Sequence, residues 1–236
     1  MNPEDRLIVA LDVDRKERAL GFVGKLKKNV RTFKVGLELF LSCGPTIVED
    51  VKREGCDVFL DLKFHDIPNT VAKAAISITR LAPLMFNVHG LGGYDTMKRT
   101  LEAVEKEAKR LKIPRPKILA VTILTSMDEN GLKNIGISDN IQAEVLRLAR
   151  LARDASLDGV VASPHEIKPI REIMGKEFLI VTPGVRPSWA EAGDQKRIMT
   201  PGEAITLGAD YIVVGRPIIE AQDPVEAAKK ILNEMK

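Results

Sequence analysis

Residues 57–63 read DVFLDLK, and Val58, Phe59 and Leu60 follow one another without a polar break. A short run that is apolar on both faces suits a strand buried on both sides, as strands of a parallel sheet are. After it, residues 70–81 carry apolar side chains at helical spacing. The pair forms one strand–helix unit, and the rest of the chain repeats it. Comparable runs are LIVALDV (7–13), TFKVG (32–36), LMFNVHG (84–90), KILAVTIL (117–124), GVVAS (159–163), FLIVTPG (178–184) and YIVVG (211–215).

Helical patterns fill the gaps near 15–29, 44–54, 95–112, 139–156, 164–175, 201–208 and 223–236. In 95–112 the apolar positions are 97, 101, 104, 108 and 111, three and four apart. Eight strands alternating with eight helices build a parallel sheet from right-handed crossovers. The fold class is therefore α/β, expected as a single (β/α)8 TIM barrel spanning residues 1–236. An open doubly wound sheet is the alternative, but no G-x-G-x-x-G follows the first strand.

Composition narrows the function. Hydrophobic residues make up 44% of the 236-residue chain, enough for a sizeable core. The 36 basic and 33 acidic residues leave a net charge of only +3, which gives no footprint for nucleic acid. The basic run KLKKNVR (25–31) is interleaved with apolar residues and reads as a solvated helix face. Cys43 and Cys56 offer neither a disulfide framework nor a C-x-x-C spacing. The start, MNPEDRLIVALD, has early acids and too short an apolar run for a signal peptide. No segment approaches the about 20 apolar residues of a membrane span. A cytoplasmic protein with no membrane contact is expected.

In such barrels the active site lies at the carboxyl ends of the strands. The polar residues that fall there are Asp12 and Asp14 from the first strand, Lys34 from the second, and Asp61 and Lys63 from the third. His65 and Asp66 follow in the next loop, then Asn87 and His89 on the fourth strand and Thr125 and Ser126 after the fifth. Asp61 and Lys63 are two apart, so both should face one side of the strand, toward the mouth. Buried charges must be paired, with each other or with Lys34 and Asp66. They could form an ion-pair plug, but an alternating acid–base array is a costly way to fill space. His89 reads as a hydrogen-bonded structural histidine, with a site role as the alternative. The three histidines show no H-x-H or H-E-x-x-H spacing, so no metal site is expected.

Residues 184–200, GVRPSWAEAGDQKRIMT, make an unusually long connection after the seventh strand. It holds Arg186, Gln195, Lys196 and Arg197 and is expected to act as a phosphate-binding lid, with Trp189 packing beneath it. VVGRP places Gly215, Arg216 and Pro217 between the eighth strand and a short helical turn. Loops after the seventh and eighth strands often bind phosphate. Gly allows close approach and Arg supplies a two-pronged donor. An ordinary turn with Pro at the first helical position is the plainer reading.

DLKFHDIPNT (61–70), with FKVG upstream, LTS after the fifth strand, TPGVRP after the seventh and VVGRP after the eighth, resembles the bacterial-type orotidine 5′-monophosphate decarboxylase family. The likeness covers essentially the whole chain. It implies conversion of orotidine 5′-monophosphate to uridine 5′-monophosphate and CO2 in de novo pyrimidine synthesis, with no metal or organic cofactor. Lys63 would be the proton donor to C6, and Asp61 would lie beside the substrate carboxylate. Lys34 and Asp66 would complete a Lys-Asp-Lys-Asp array. Asp12 and Lys34 would contact the ribose, and Thr125 or Ser126 the pyrimidine. Arg186, Gln195, Gly215 and Arg216 would hold the phosphate. The likeness also implies a homodimer in which Asp66 and Thr70 come from the partner subunit.

Two rivals compete. Related barrel enzymes acting on sugar phosphates share D-x-K-x-x-D but use Mg2+ with an acidic ligand at the end of the second strand. Lys34 stands there in this chain and would repel the ion. A non-catalytic phosphate-binding barrel would keep Gly215 and Arg216 but has no need of Lys63 between two acids.

Overall fold

A computed structural model of the chain describes residues 2–189 and 199–236. Its strands are β1 (Leu7–Ala10), β2 (Thr32–Gly36), β3 (Asp57–Phe64), β4 (Met85–His89), β5 (Lys117–Val121), β6 (Gly159–Val161), β7 (Leu179–Pro183) and β8 (Tyr211–Val214). Each pairs in parallel with its sequence neighbours, and β8 pairs with β1 through Leu7 and Ile212, closing the barrel. All eight expected strands form.

The helices are α1 (Pro3–Arg6), α2 (Lys16–Leu26), α3 (Leu37–Cys43), α4 (Thr46–Arg53), α5 (Pro68–Leu81), α6 (Gly93–Leu111), α7 (Glu129–Asn134), α8 (Ile141–Asp154), α9 (Ile167–Met174), α10 (Pro201–Leu207), α11 (Arg216–Ile219) and α12 (Pro224–Glu234). Eight of them match the expected helical patterns, and α11 is the short turn expected after VVGRP. Local chemistry sets their ends. Thr200 and Glu203 form a reciprocal capping box on α10, and Gly208 closes that helix in the left-handed region. Asp128 caps α7 by accepting the Gly131 N–H at 2.8 Å. The helices α1, α3 and α7 were not expected: each is seven residues or fewer, too short to show a helical period.

Strand alternation sorts side chains into two cores. Ile8, Ala10, Phe59, Met85, Val181, Tyr211 and Val213 belong to the small cluster that fills the barrel. Leu7, Val9, Phe33, Val35, Leu60, Phe86 and Val88 belong to the larger layer between sheet and helices. Extending the inward set by two residues at a time toward the carboxyl ends reaches Asp12 from Ala10, Asp61 from Phe59, Asn87 from Met85 and Gly215 from Val213. Lys34, between the outward Phe33 and Val35, belongs to the same layer. The plain period of the strands thus stacks a polar layer on an apolar plug.

Candidate active site

Lys34, Asp12, Asp61 and Lys63 meet in that layer. The Lys34 Nζ lies 2.9 Å from Asp12 Oδ1 and 3.6 Å from Asp61 Oδ2. The Lys63 Nζ donates to Asp61 Oδ1 at 2.6 Å. Asp61, 9% exposed, therefore has an ammonium on each oxygen. Burial alone would raise its pKa. Lys34, Lys63 and the hydrogen bonds from Lys63 and Asn87 outweigh that and hold the carboxyl below its ordinary value. Two glycines make room for the Asp12–Lys34 pair: a Cβ on Gly36 would stand 3.0 Å from Lys34 Nζ, and one on Gly215 would stand 3.3 Å from Asp12 Oδ2.

Lys63 does not sit on a regular strand. Leu60 pairs with Phe86 and Phe64 with Val88, so β3 spends four steps where β4 spends two. Lys63 has φ of 50°, in the left-handed region. A residue with a Cβ holds such a conformation at a cost of about 1–3 kcal/mol. The bulge re-aims the side chain, as bulges beside active sites do. Plain alternation predicts the right face for Lys63 but misses this backbone turn. The Lys63 N–H donates to Asn87 Oδ1 at 2.8 Å, and Asn87 Nδ2 donates to Asp61 Oδ1 at 2.7 Å. Asn87 is fully buried.

Beside Lys63 the rings of His65 and His89 stack with centroids 5.0 Å apart. The His89 Nδ1 accepts the Leu91 N–H at 3.3 Å. Burial, then repulsion from His65 and Lys63, lowers its pKa.

Other expected residues stand apart. Asp66 accepts the N–H of Ile67 at 2.6 Å, and among the described residues it makes no ion pair with Lys63 of its own chain. Thr70 is exposed in the first turn of α5. The fourth charge of the expected array is thus absent from the cluster that one chain forms. Asp14 pairs at the surface with Arg15. Thr125 and Ser126 occupy an exposed turn after β5, where the N–H of Met127 bonds Leu124 O at 2.9 Å. Arg186 is buried, and its N–H bonds Met199 O at 3.0 Å, joining the two ends of the long connection. Arg216 opens α11 directly after β8, at the mouth. Gln195, Lys196 and Arg197 lie outside the described residues, which omit 190–198. Trp189 is 43% exposed, with Lys230 Nζ 5.7 Å from its ring centre, and residues 190–198 of the connection it is expected to pack beneath lie outside the described residues. Among the described residues no group of three or more His, Cys, Asp or Glu is placed to hold a metal ion. No described helix is long and apolar enough to cross a membrane.

The fold and the site define a (β/α)8-barrel enzyme with an acid–base array at its mouth. The family model for "Orotidine 5'-phosphate decarboxylase / HUMPS family" matches residues 5–231, and the chain belongs to that family. It is 52% identical over 237 residues to an orotidine 5'-phosphate decarboxylase of Syntrophomonas wolfei subsp. wolfei, covering 100% of this chain and 99% of that protein. With the protein of the same name from Syntrophotalea carbinolica it shares 54% identity over 230 residues, 98% of this chain and 94% of that one. The crystal structure of orotidine 5'-phosphate decarboxylase from Lactobacillus acidophilus superposes with a TM-score of 0.85 at 38% identity, covering 98% of this chain and 100% of that one.

Proposed function

We propose that this protein is a carboxy-lyase that converts orotidine 5′-monophosphate to uridine 5′-monophosphate and CO2 in de novo pyrimidine synthesis. The observation that carries the reading is the Asp61 carboxylate held between Lys63 at 2.6 Å and Lys34 at 3.6 Å. Breaking the C6–carboxylate bond leaves an electron pair in the plane of the pyrimidine ring, where the π system does not receive it. A fixed ammonium beside C6 stabilises that pair, because its charge is oriented before the reaction begins. Lys63 then gives one proton to C6, becomes neutral and regains a proton from solvent. Asp61 and Lys34 hold the ammonium in place, and Asp61 lies next to the departing carboxylate.

In this reading Asp12 and Lys34 hold the ribose hydroxyls, and Thr125 or Ser126 meets the edge of the pyrimidine. Arg186, Gln195, Gly215 and Arg216 take the phosphate. Its binding energy draws the 184–200 connection over the site as a lid and serves the reaction at a distance. A nucleotide that carries both a phosphate and a carboxylate does not cross a membrane unaided, so the reading puts the enzyme in the cytoplasm with its substrate.

The working unit is a homodimer, with Asp66 and Thr70 supplied across the interface. Asp66 makes no ion pair with its own Lys63 among the described residues, which supports this assignment. Leu41 is 78% exposed and Ile67 66%, with Leu37 and Tyr94 also open, all beyond the carboxyl ends of the adjacent strands β2, β3 and β4. Apolar side chains concentrated in one sector suit burial against a second copy.

Mixing the purified protein with orotidine 5′-monophosphate and following ultraviolet absorbance tests the reading. Turnover with release of one CO2 per nucleotide is expected, unchanged by EDTA. No turnover, or EDTA inhibition that Mg2+ reverses, would overturn it in favour of a metal-assisted sugar-phosphate reaction.

A further inference from the structure

We infer that Asn87 is a positioning residue for Lys63, holding that lysine at its backbone and at its tip together. The inference rests on the proposed decarboxylase reading for its kinetic consequences and on geometry alone for its structural ones. Three hydrogen bonds close a ring. The Lys63 N–H donates to Asn87 Oδ1 at 2.8 Å, Asn87 Nδ2 donates to Asp61 Oδ1 at 2.7 Å, and Lys63 Nζ donates to the same Asp61 oxygen at 2.6 Å.

The amide orientation is forced. A backbone N–H only donates, so the Asn87 oxygen must face it, and a carboxylate only accepts, so the Asn87 nitrogen must face Asp61. The bulge explains why the ring is needed. Between Leu60 and Phe64 the β3–β4 register shifts, and within that irregularity Lys63 takes φ of 50°. Asn87 sits on β4 between Phe86 and Val88, the partners of Leu60 and Phe64. Its side chain supplies the Lys63 N–H with an acceptor inside the irregularity. Its other end fixes Asp61 Oδ1 toward Lys63, leaving Oδ2 toward Lys34 at 3.6 Å. A fully buried side chain in this role cannot swing away to solvent. Asn87 does not itself reach the reacting atoms in this scheme. It acts through Lys63 and Asp61.

Substituting Asn87 separates this role from mere packing. Asn87→Ala should lower kcat by about a hundredfold, because a loosened general acid misses its proton acceptor. The affinity for uridine 5′-monophosphate should change by less than about threefold, since the proposed phosphate contacts lie on other strands. Amide hydrogen exchange at Lys63 should quicken by about tenfold or more on loss of its acceptor, with the amides of Leu60 and Val88 unchanged.

Asn87→Asp gives the sharper readout. At pH 8 the introduced carboxylate faces Asp61 and repels it. As pH falls the new group takes up a proton, because two adjacent carboxylates do not both stay ionised. A neutral carboxyl donates to Asp61 and accepts from the Lys63 N–H as the amide did, so kcat should recover toward pH 5 relative to wild type. A kcat for Asn87→Ala within about threefold of wild type with unchanged exchange at Lys63 overturns the inference, as does an Asn87→Asp profile parallel to wild type. Should Asn87→Ala not fold, the Asn87→Asp profile decides alone. If the wild-type protein fails to decarboxylate orotidine 5′-monophosphate while exchange at Lys63 still responds to Asn87→Ala, the proposed function falls and the positioning role stands.

Discussion

The Lys63 ammonium and the Asp61 carboxylate meet at 2.6 Å although the two residues belong to one strand and lie two positions apart. Neighbours at that spacing on a regular strand stand about 6.6 Å apart along the chain. The long lysine side chain folds back to its neighbour from a backbone in the left-handed region. The ammonium and the carboxylate are therefore brought together by the fold of one chain.

Lys63→Ala should lower kcat by about a thousandfold or more, the scale of a lost general acid together with its charge. Thermal stability should change little, because Asp61 keeps Lys34 and Asn87 as partners. Steady-state kinetics and a melting curve check both. Activity within about tenfold of wild type rules out the proton-donor assignment.

Arg216→Ala should weaken uridine 5′-monophosphate binding by about ten- to a hundredfold, the worth of a charge-assisted hydrogen bond. It should also slow decarboxylation, since phosphate contacts are proposed to draw the lid closed. Orotidine, which lacks the phosphate, should be turned over equally well by variant and wild type. Equal loss on nucleotide and nucleoside removes the phosphate role.

Shared sites can be detected by mixing two inactive chains. Lys63→Ala and Asp66→Ala, refolded together in equal amounts, should restore roughly a quarter of wild-type sites. About half the dimers are then mixed, and each mixed dimer has one site with neither substitution. If each site drew both residues from one chain, every site would keep a substitution and mixing would recover nothing.

Glu107 ties α5 to α6. It accepts from Arg80 at 2.8 Å and from Arg110 at 2.8 Å through both oxygens. The hydrogen bonds from Arg110 and then Arg80 lower its pKa from 4.5 to about 2. A group whose folded pKa is depressed adds stability above its unfolded pKa and loses it as pH falls through the folded one. Glu107→Gln should therefore be less stable than wild type at pH 7. The difference should shrink between about pH 4.5 and 2 in denaturant titrations. A difference constant across that window would show that the arginines do not act through the ionised carboxylate.

Much of this architecture is legible in local pattern. Runs such as LIVALDV and DVFLDLK are apolar because their strands are covered on both faces, and that coverage requires only the alternation of strand and helix. Alternation then carries Asp12, Lys34 and Asp61 into one inward layer. That is why composition and spacing bring together three residues that lie 22 and 27 positions apart in the chain. Asp128 ahead of α7 and Pro3 in α1 were local start signals for the short helices that periodicity passed over.

Tertiary structure alone decided the rest. The bulge at Lys63 exists only in relation to the shorter path of β4, and no window on β3 contains that partner. Asn87 looks like any polar residue at a strand end until the register sets its amide between the Lys63 N–H and Asp61. Asp66, read from the sequence as completing a partner's array, caps the Ile67 N–H within its own chain. The physical reason is common to these cases. Periodicity is dictated by each residue's own backbone and tells which way a side chain faces. Hydrogen bonds between strands depend on register, which is set by the packing of the whole barrel.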